Sequence, residues 1–227
     1  MGAQISIQRD VLRGNGEWAE RNRAFLNEKG MYVMNLMSSP GAGKTSMLER
    51  IIPKLRAHIK VGVIEGDLCT TLDAERIAKL GVQAVQINTD GACHLDARMV
   101  HEALQSFKAH RVDLIFIENV GNLVCPADFD LGEHRRIAML SVTEGADKVE
   151  KYPNVFAYAD ALIVSKIDLL PYVSFDERYY ETEARRLNPN SSLFRISAVT
   201  GEGADEWVRW ILGIVREYKN GRGSNFM

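Results

Sequence analysis

"MNLMSSPGAGKTSMLER", residues 34–50, runs from an apolar stretch through a loop of small residues into helix-forming ones. A strand that empties into a glycine-rich loop and then a helix is the setting of a phosphate-binding loop. Its pattern is Gly, four residues, then Gly-Lys-Ser/Thr. Gly43, Lys44 and Thr45 fit the pattern, while Ser38 stands where the first glycine is expected. Gly41 and Gly43, on either side of Ala42, let backbone N–H groups turn inward around a phosphate. The helix expected from about residue 44 to 58 points its positive end at the same place. Lys44 is placed to reach the β- and γ-phosphates, and the hydroxyl of Thr45 to ligate Mg2+, with Ser46 following in the same binding stretch. The bland alternative is a glycine-rich turn that happens to carry a lysine. The strand before it and the helix after it favour a nucleoside triphosphate.

Working outward, strand and helix signals alternate. "KVGVIEGD", "VQAVQIN", "VDLIFIEN", "HRRIAMLSVTEG", "ADALIVSKIDLL" and "SLFRIS" read as strands. "AERIAKLG", "HLDARMVHEALQSF", "FDERYYETEARRLN" and "GADEWVRWILGIVREY" read as helices. That alternation predicts an α/β fold with a mostly parallel central sheet and helices on both faces. The expected organisation is a helical N-terminal segment over 1–30, a P-loop domain over 31–219 and a frayed tail over 220–227. The 227 residues are 46% hydrophobic, enough for one sizeable core, and carry a formal net charge of −2. No global field therefore draws the chain to nucleic acid, and no apolar run is long enough to cross a bilayer. Gly2 with Ser6 gives weak support for a myristoylation signal, and an ordinary start is the better reading. Three cysteines, Cys69, Cys93 and Cys125, have no disulfide-framework spacing, which suits a reducing, cytoplasmic setting.

The "IVSKID" stretch offers a base-recognition carboxylate. Asp168 can accept hydrogen bonds from the N1–H and exocyclic amine of guanine, and Lys166 can lay its stem along the base. Alone, Asp168 would read as a strand-end turn carboxylate. Ser197 and Ala198 follow a later strand, where a backbone N–H can meet guanine O6. The pair resembles the "NKxD" and "SAK" elements of GTPases, with Ser165 in place of Asn and Val199 in place of Lys. Ser165 is expected to loosen the tie to the phosphate loop. Asp67 and Glu118 each end a strand, where ligands bind in such sheets. Both are candidates for magnesium and for the attacking water. Gly121, three residues past Glu118, is placed to give its N–H to a γ-phosphate. No side chain stands out as an arginine finger.

Cys93, His94 and Cys125 form a different constellation. Thiolate, imidazole and thiolate suit Zn2+ or Ni2+, and three ligands leave a tetrahedral ion one position short. The residues alone leave an even alternative, in which the thiols are small buried hydrophobes. Because Cys125 lies four residues past Gly121, a loop that moves on hydrolysis would carry a metal ligand with it. Cys69 reads as structural. His101 and His134 read as solvated, as do Lys148 and Lys151.

Taken together, "NLMSSPGAGKTS", "EGDLCTTLDAERI", "GACHLDARMV", "IFIENVGNLVCPADFDLGEH", "SVTEGADK" and "SKIDLLPY" resemble, in order and spacing over about residues 30–212, the HypB family of hydrogenase maturation GTPases. The resemblance implies a signal-recognition-particle-like (SIMIBI-type) P-loop GTPase fold. It implies a homodimer on GTP binding; the residues themselves lead to the expectation of Mg2+-dependent hydrolysis of GTP to GDP, slow because no arginine finger stands out. Cys93, His94 and Cys125 would stand at that interface. It also implies metal exchange with the nickel chaperone HypA and, indirectly, service to the NiFe hydrogenase large subunit. The N-terminal cysteine or histidine-rich metal motifs of some relatives are not found in residues 1–30. Two other classes remain open on the residues: a structural-zinc P-loop protein and a small-molecule kinase.

Overall fold

The computed structural model describes residues 7–67, 72–107 and 112–223. Cys69 and residues 1–6, with the Gly2 reading, lie outside them. Seven parallel strands form one sheet: β1 Tyr32–Ser38, β2 Val61–Asp67, β3 Gln83–Asn88, β4 Leu114–Glu118, β5 Arg135–Ser141, β6 Ala161–Ser165 and β7 Ser192–Ile196. Their order across the sheet is β3-β2-β4-β1-β5-β6-β7. The chain builds one half outward from β1 and then returns to build the other, so the direction of winding switches at β1. The C-terminal ends of strands at such a switch form a crevice.

The near-continuous apolar runs of β1 and β4 follow from burial on both faces, since every residue of these two strands is buried. Side-chain alternation sorts them. Tyr32, Met34, Leu36, Leu114 and Phe116 point into one core layer with Ile51, Trp207 and Ile211. That layer belongs to α2 (Lys44–Arg56) and α9 (Ala204–Gly223). Val33, Ile115 and Ile117 point the other way, toward Leu26, Leu95 and Phe107. There α1 (Ile7–Lys29) and α4 (Ala97–Leu104) cover the sheet. A third cluster around Leu140, Phe156 and Tyr180 fills the space under α8 (Glu177–Leu187). The approach is close at Gly62, where a Cβ would stand 2.5 Å from the Phe107 ring.

α3 (Leu72–Ala78) and the short α5 (Cys125–Asp128), α6 (Lys148–Lys151) and α7 (Pro153–Ala157) complete the set of α-helices among the described residues. The last three have no counterpart in the sequence reading, because helices of four or five residues leave no periodicity to detect. α9 also runs to Gly223, into the stretch expected to fray. The Tyr218 ring against Tyr32, at 5.1 Å, and Lys219 against Asp113, at 2.6 Å, dock its final turns.

Candidate functional site

β1 delivers the small-residue loop to the crevice. Gly41 (φ 73°) and Gly43 (φ 99°) take the left-handed backbone that glycine adopts without penalty, and α2 starts at Lys44. Lys44 Nζ donates to Ser38 Oγ at 3.0 Å. The serine at the variant first position is thus a partner of the lysine. Thr45 Oγ1 donates to Glu118 Oε1 at 2.8 Å. β2 and β4 are adjacent, with Glu65 opposite Glu118, so Asp67 projects from the same sheet edge. Lys44, Thr45, Asp67, Glu118, Gly121 and Lys166 all line one cleft of about 480 Å3. A hydroxyl and two carboxylates around one cleft make a hard-oxygen set suited to a divalent cation. At Gly121 a Cβ would stand 2.7 Å from Pro40 Cα, so the segment after β4 lies directly on the phosphate loop. The cleft also includes Arg76 of α3, which the sequence reading passed over. It is held by Glu49 through two hydrogen bonds of 3.0 and 2.7 Å.

The candidate base-binding residues leave the same edge. Ser165 at the end of β6 pairs with Ile196 at the end of β7, so residues 166–168 and 197–198 emerge side by side. Asp168 Oδ1 is buried and has no hydrogen-bond partner. A carboxylate oxygen kept from water without a donor is costly unless a ligand supplies one. Lys166 has a left-handed backbone (φ 59°), and its Nζ donates to Gly41 O at 2.7 Å. Ser165 Oγ donates to Ala42 O at 2.7 Å, which corrects the expectation of a loosened tie. The shorter side chain suffices because β6 brings its end against the loop. Ser197 Oγ accepts from Thr200 N–H at 3.1 Å, shaping the turn. Arg50 of α2 holds that turn from outside, donating to the carbonyls of Ala198, at 2.7 Å, and Val199. Nothing in the local sequence pointed to Arg50, whose partners lie 148 and 149 residues away.

The loop before α4 carries Cys93 and His94, and α5 opens at Cys125. The two sulfurs lie 3.1 Å apart, and Cys93 Sγ lies 3.7 Å from His94 Nδ1. All three donor atoms fall within 4.8 Å of one another. Cys93 is exposed and Cys125 half-buried, so neither is the small buried hydrophobe of the bland reading. The hydrogen bond to Cys93, then burial, pushes the Cys125 thiol up. Burial lowers His94, whose ring centroid lies 3.9 Å from that of Phe129. A neutral imidazole is the form that ligates metals. In a tetrahedral Zn2+ site with Zn–S of about 2.3 Å the sulfurs would stand about 3.8 Å apart, whereas a square-planar ion would take neighbouring sulfurs closer to the present spacing of 3.1 Å.

Two ties join this cluster to the nucleotide cleft. Thr89 N–H donates to Asp67 O at 3.1 Å, and Thr89 Oγ1 to Ala92 O, next to Cys93, at 2.8 Å. Asn119, one residue past Glu118, accepts from Leu95 N–H, next to His94, at 3.2 Å. Its Nδ2 donates to Asn35 on β1 at 3.2 Å.

His101 and His134 are not the solvated residues expected. His101 bonds Asn22 at 2.9 Å and packs on Trp18 at 5.1 Å. His134 Nδ1 accepts from Val33 N–H at 3.1 Å and its ring stacks on Tyr32 at 4.5 Å. Their partners come from distant segments, which a local reading does not see. Lys151 pairs with Asp147, and Lys148 lies 5.4 Å from the Tyr152 ring centroid.

Residues 32–195 match the family described as the CobW/HypB/UreG nucleotide-binding domain. The hydrogenase maturation factor HypB of Azotobacter vinelandii is 51% identical over 207 residues, 91% of this chain and 68% of that protein. The crystal structure of HypB from Helicobacter pylori in complex with nickel superposes with a TM-score of 0.86. It is 40% identical and covers 90% of this chain and 96% of that one. The fold alone extends to signal recognition particle 54 kDa protein from Aeropyrum pernix in complex with GDP. Its TM-score is 0.56 at 14% identity, with 86% of this chain and 50% of that one covered.

Proposed function

The chain belongs to the HypB family of hydrogenase maturation factors, and on that premise we propose a GTP-hydrolysing metallochaperone that assists nickel insertion into NiFe hydrogenase. The observation that carries the proposal is the short segment from Glu118 to Cys125. One end bonds Thr45 beside the phosphate loop, and the other puts a thiol 3.1 Å from Cys93. A change at the phosphates therefore reaches a metal ligand through a few residues of continuous backbone.

The residues have separate tasks. Asp168, with Lys166, Ser197 and Ala198, selects guanine. The loop amides from Gly41 to Ser46 cradle the phosphates, and Lys44 leaves Ser38 to neutralise them. Mg2+, when bound, screens phosphate charge, and Thr45, Asp67 and Glu118 are the oxygen donors that fit it. Gly121 donates its N–H to the γ-phosphate and loses that contact after hydrolysis. Asp67 and Glu118 also stand where one of them can orient the attacking water. Turnover is slow in this reading, since no side chain stands out as an arginine finger; Arg76, which lines the cleft, is bonded to Glu49.

Nickel or zinc is the cargo at Cys93, His94 and Cys125. The incomplete ligand set is filled across a homodimer formed on GTP binding, and the ion is exchanged with HypA in the cytoplasm. The test replaces Cys93 and Cys125 with Ala, singly and together. Nickel binding and delivery to apo-hydrogenase should be lost, with the melting temperature kept within a few degrees. A large fall in melting temperature, or unchanged delivery, would falsify the chaperone reading.

A further inference from the structure

Two asparagines on α1 hold the backbones of both segments that carry the Cys/His cluster. Asn22, fully buried, donates through Nδ2 to Ala97 O and to Leu131 O, each at 2.8 Å. Its Oδ1 accepts from His101 Nδ1 at 2.9 Å, so its amide is fully engaged. Asn15, 9% exposed, accepts from Ala97 N–H at 2.8 Å and donates to Asp130 O at 2.7 Å. Ala97 begins α4, three residues past His94. Asp130 and Leu131 follow the helix that Cys125 opens. The contact leaves no slack. At Gly132 a Cβ would stand 2.6 Å from Ala19 O and 2.7 Å from Asn22 Cβ.

A helix that only had to cover the sheet would meet it with apolar residues, as α1 does at Leu26. A buried amide costs free energy unless it is fully bonded, and its bonds have strict direction. Here each amide bridges two chain segments that do not touch in sequence, and each bridge joins the Cys93–His94 side to the Cys125 side. We infer that Asn15 and Asn22 are positioning residues for the metal cluster. α1 is the frame that fixes the spacing between the two ligand-bearing segments, while their other ends follow Asp67 and Asn119. The inference rests on the reading of Cys93, His94 and Cys125 as the metal site. The separation and aim of the two sulfurs decide which coordination geometry the site can offer an ion, so a frame that fixes them sets the affinity.

The test uses the full chain as Asn15→Ala and Asn22→Ala, with Leu26→Ala as a control on the same helix. Ni2+ is titrated against a competing chelator while thiolate-to-nickel charge-transfer absorption is followed. Melting temperature and GDP affinity are read on the same samples. Each asparagine variant should bind nickel about tenfold more weakly or worse, with a shifted absorption band and wild-type GDP affinity. Leu26→Ala should melt at least as early yet keep the wild-type nickel affinity and band. Wild-type nickel binding in the asparagine variants overturns the inference, as does an equal loss in Leu26→Ala. Should Asn22→Ala not fold, Asn15→Ala, at the milder site, decides alone. If the wild type takes up no nickel, or Cys125→Ala binds it as well, the metal-site reading has failed and this inference goes with it.

Discussion

Thr45 and Glu118 are 73 residues apart in the chain and 2.8 Å apart at the sheet edge, with the hydroxyl donating to the carboxylate. The bond ties the start of α2 to the end of β4, the two elements that a phosphate-bound cation would bridge. Thr45→Ala takes a donor from a buried carboxylate and should lower the stability of the nucleotide-free protein by about 1–3 kcal/mol. Hydrolysis should fall by about tenfold or more, the equivalent of ~1.4 kcal/mol in the barrier. Thr45→Ser should restore both in urea melts and phosphate-release assays. Equal loss in the serine variant would show that the hydroxyl is not the operative group.

Asp168 has a buried oxygen with nothing bonded to it. Guanine offers two N–H donors to a carboxylate, whereas xanthine replaces one donor with an acceptor. Asp168→Asn should weaken GTP by about 1.5–3 kcal/mol, roughly 10- to 150-fold, and strengthen xanthosine triphosphate. Competition binding of the two nucleotides measures it. An unchanged preference would refute the assignment of the base pocket.

Gly121 lies so close to the phosphate loop that an added methyl meets Pro40 backbone atoms at 2.7 and 2.8 Å. Neither backbone can yield as a flexible side-chain end would. Gly121→Ala should cost about 1–3 kcal/mol through overpacking. It should also reduce the discrimination between GTP and GDP, read by calorimetry and binding.

Asp130 gives a pH dependence with a definite sign. Burial alone would raise its pKa, but hydrogen bonds from Arg23 and the Gly132 N–H outweigh it and hold the carboxyl below its ordinary value of 3.8. A depressed pKa contributes stability above the unfolded value and loses it as pH falls through the folded one. The pair is partly exposed, so its worth is about 1 kcal/mol or less. The stability gap between wild type and Asp130→Asn should therefore be constant near neutrality and close below about pH 4. A gap that widens in acid would contradict the assignment.

The seven strands were legible because each is a compact β-rich run bounded by turn or charged residues. The phosphate loop was legible because its glycines announce a backbone that other residues resist. Strand order was not, since parallel neighbours such as β1 and β4 are paired by the packing of the whole sheet. The Cys93–His94–Cys125 set could be guessed from residue chemistry, but its closeness could not, because α5 is too short to leave a pattern. Arg50, Asn15 and Asn22 escaped notice, and His101 and His134 were read as solvated, for one reason. Each acts on atoms contributed by distant segments, and nothing in its own neighbourhood marks it.

The phosphate count at one end of the Glu118–Cys125 segment should alter the grip on the ion at the other. The direct measurement is a nickel titration of the purified protein with GDP and with a non-hydrolysable GTP analogue, followed by light scattering for mass. The account predicts nickel affinities that differ by about 5- to 150-fold between the two nucleotides, with the reciprocal change in nucleotide affinity when nickel is saturating. Equal nickel affinity in both nucleotide states would contradict it.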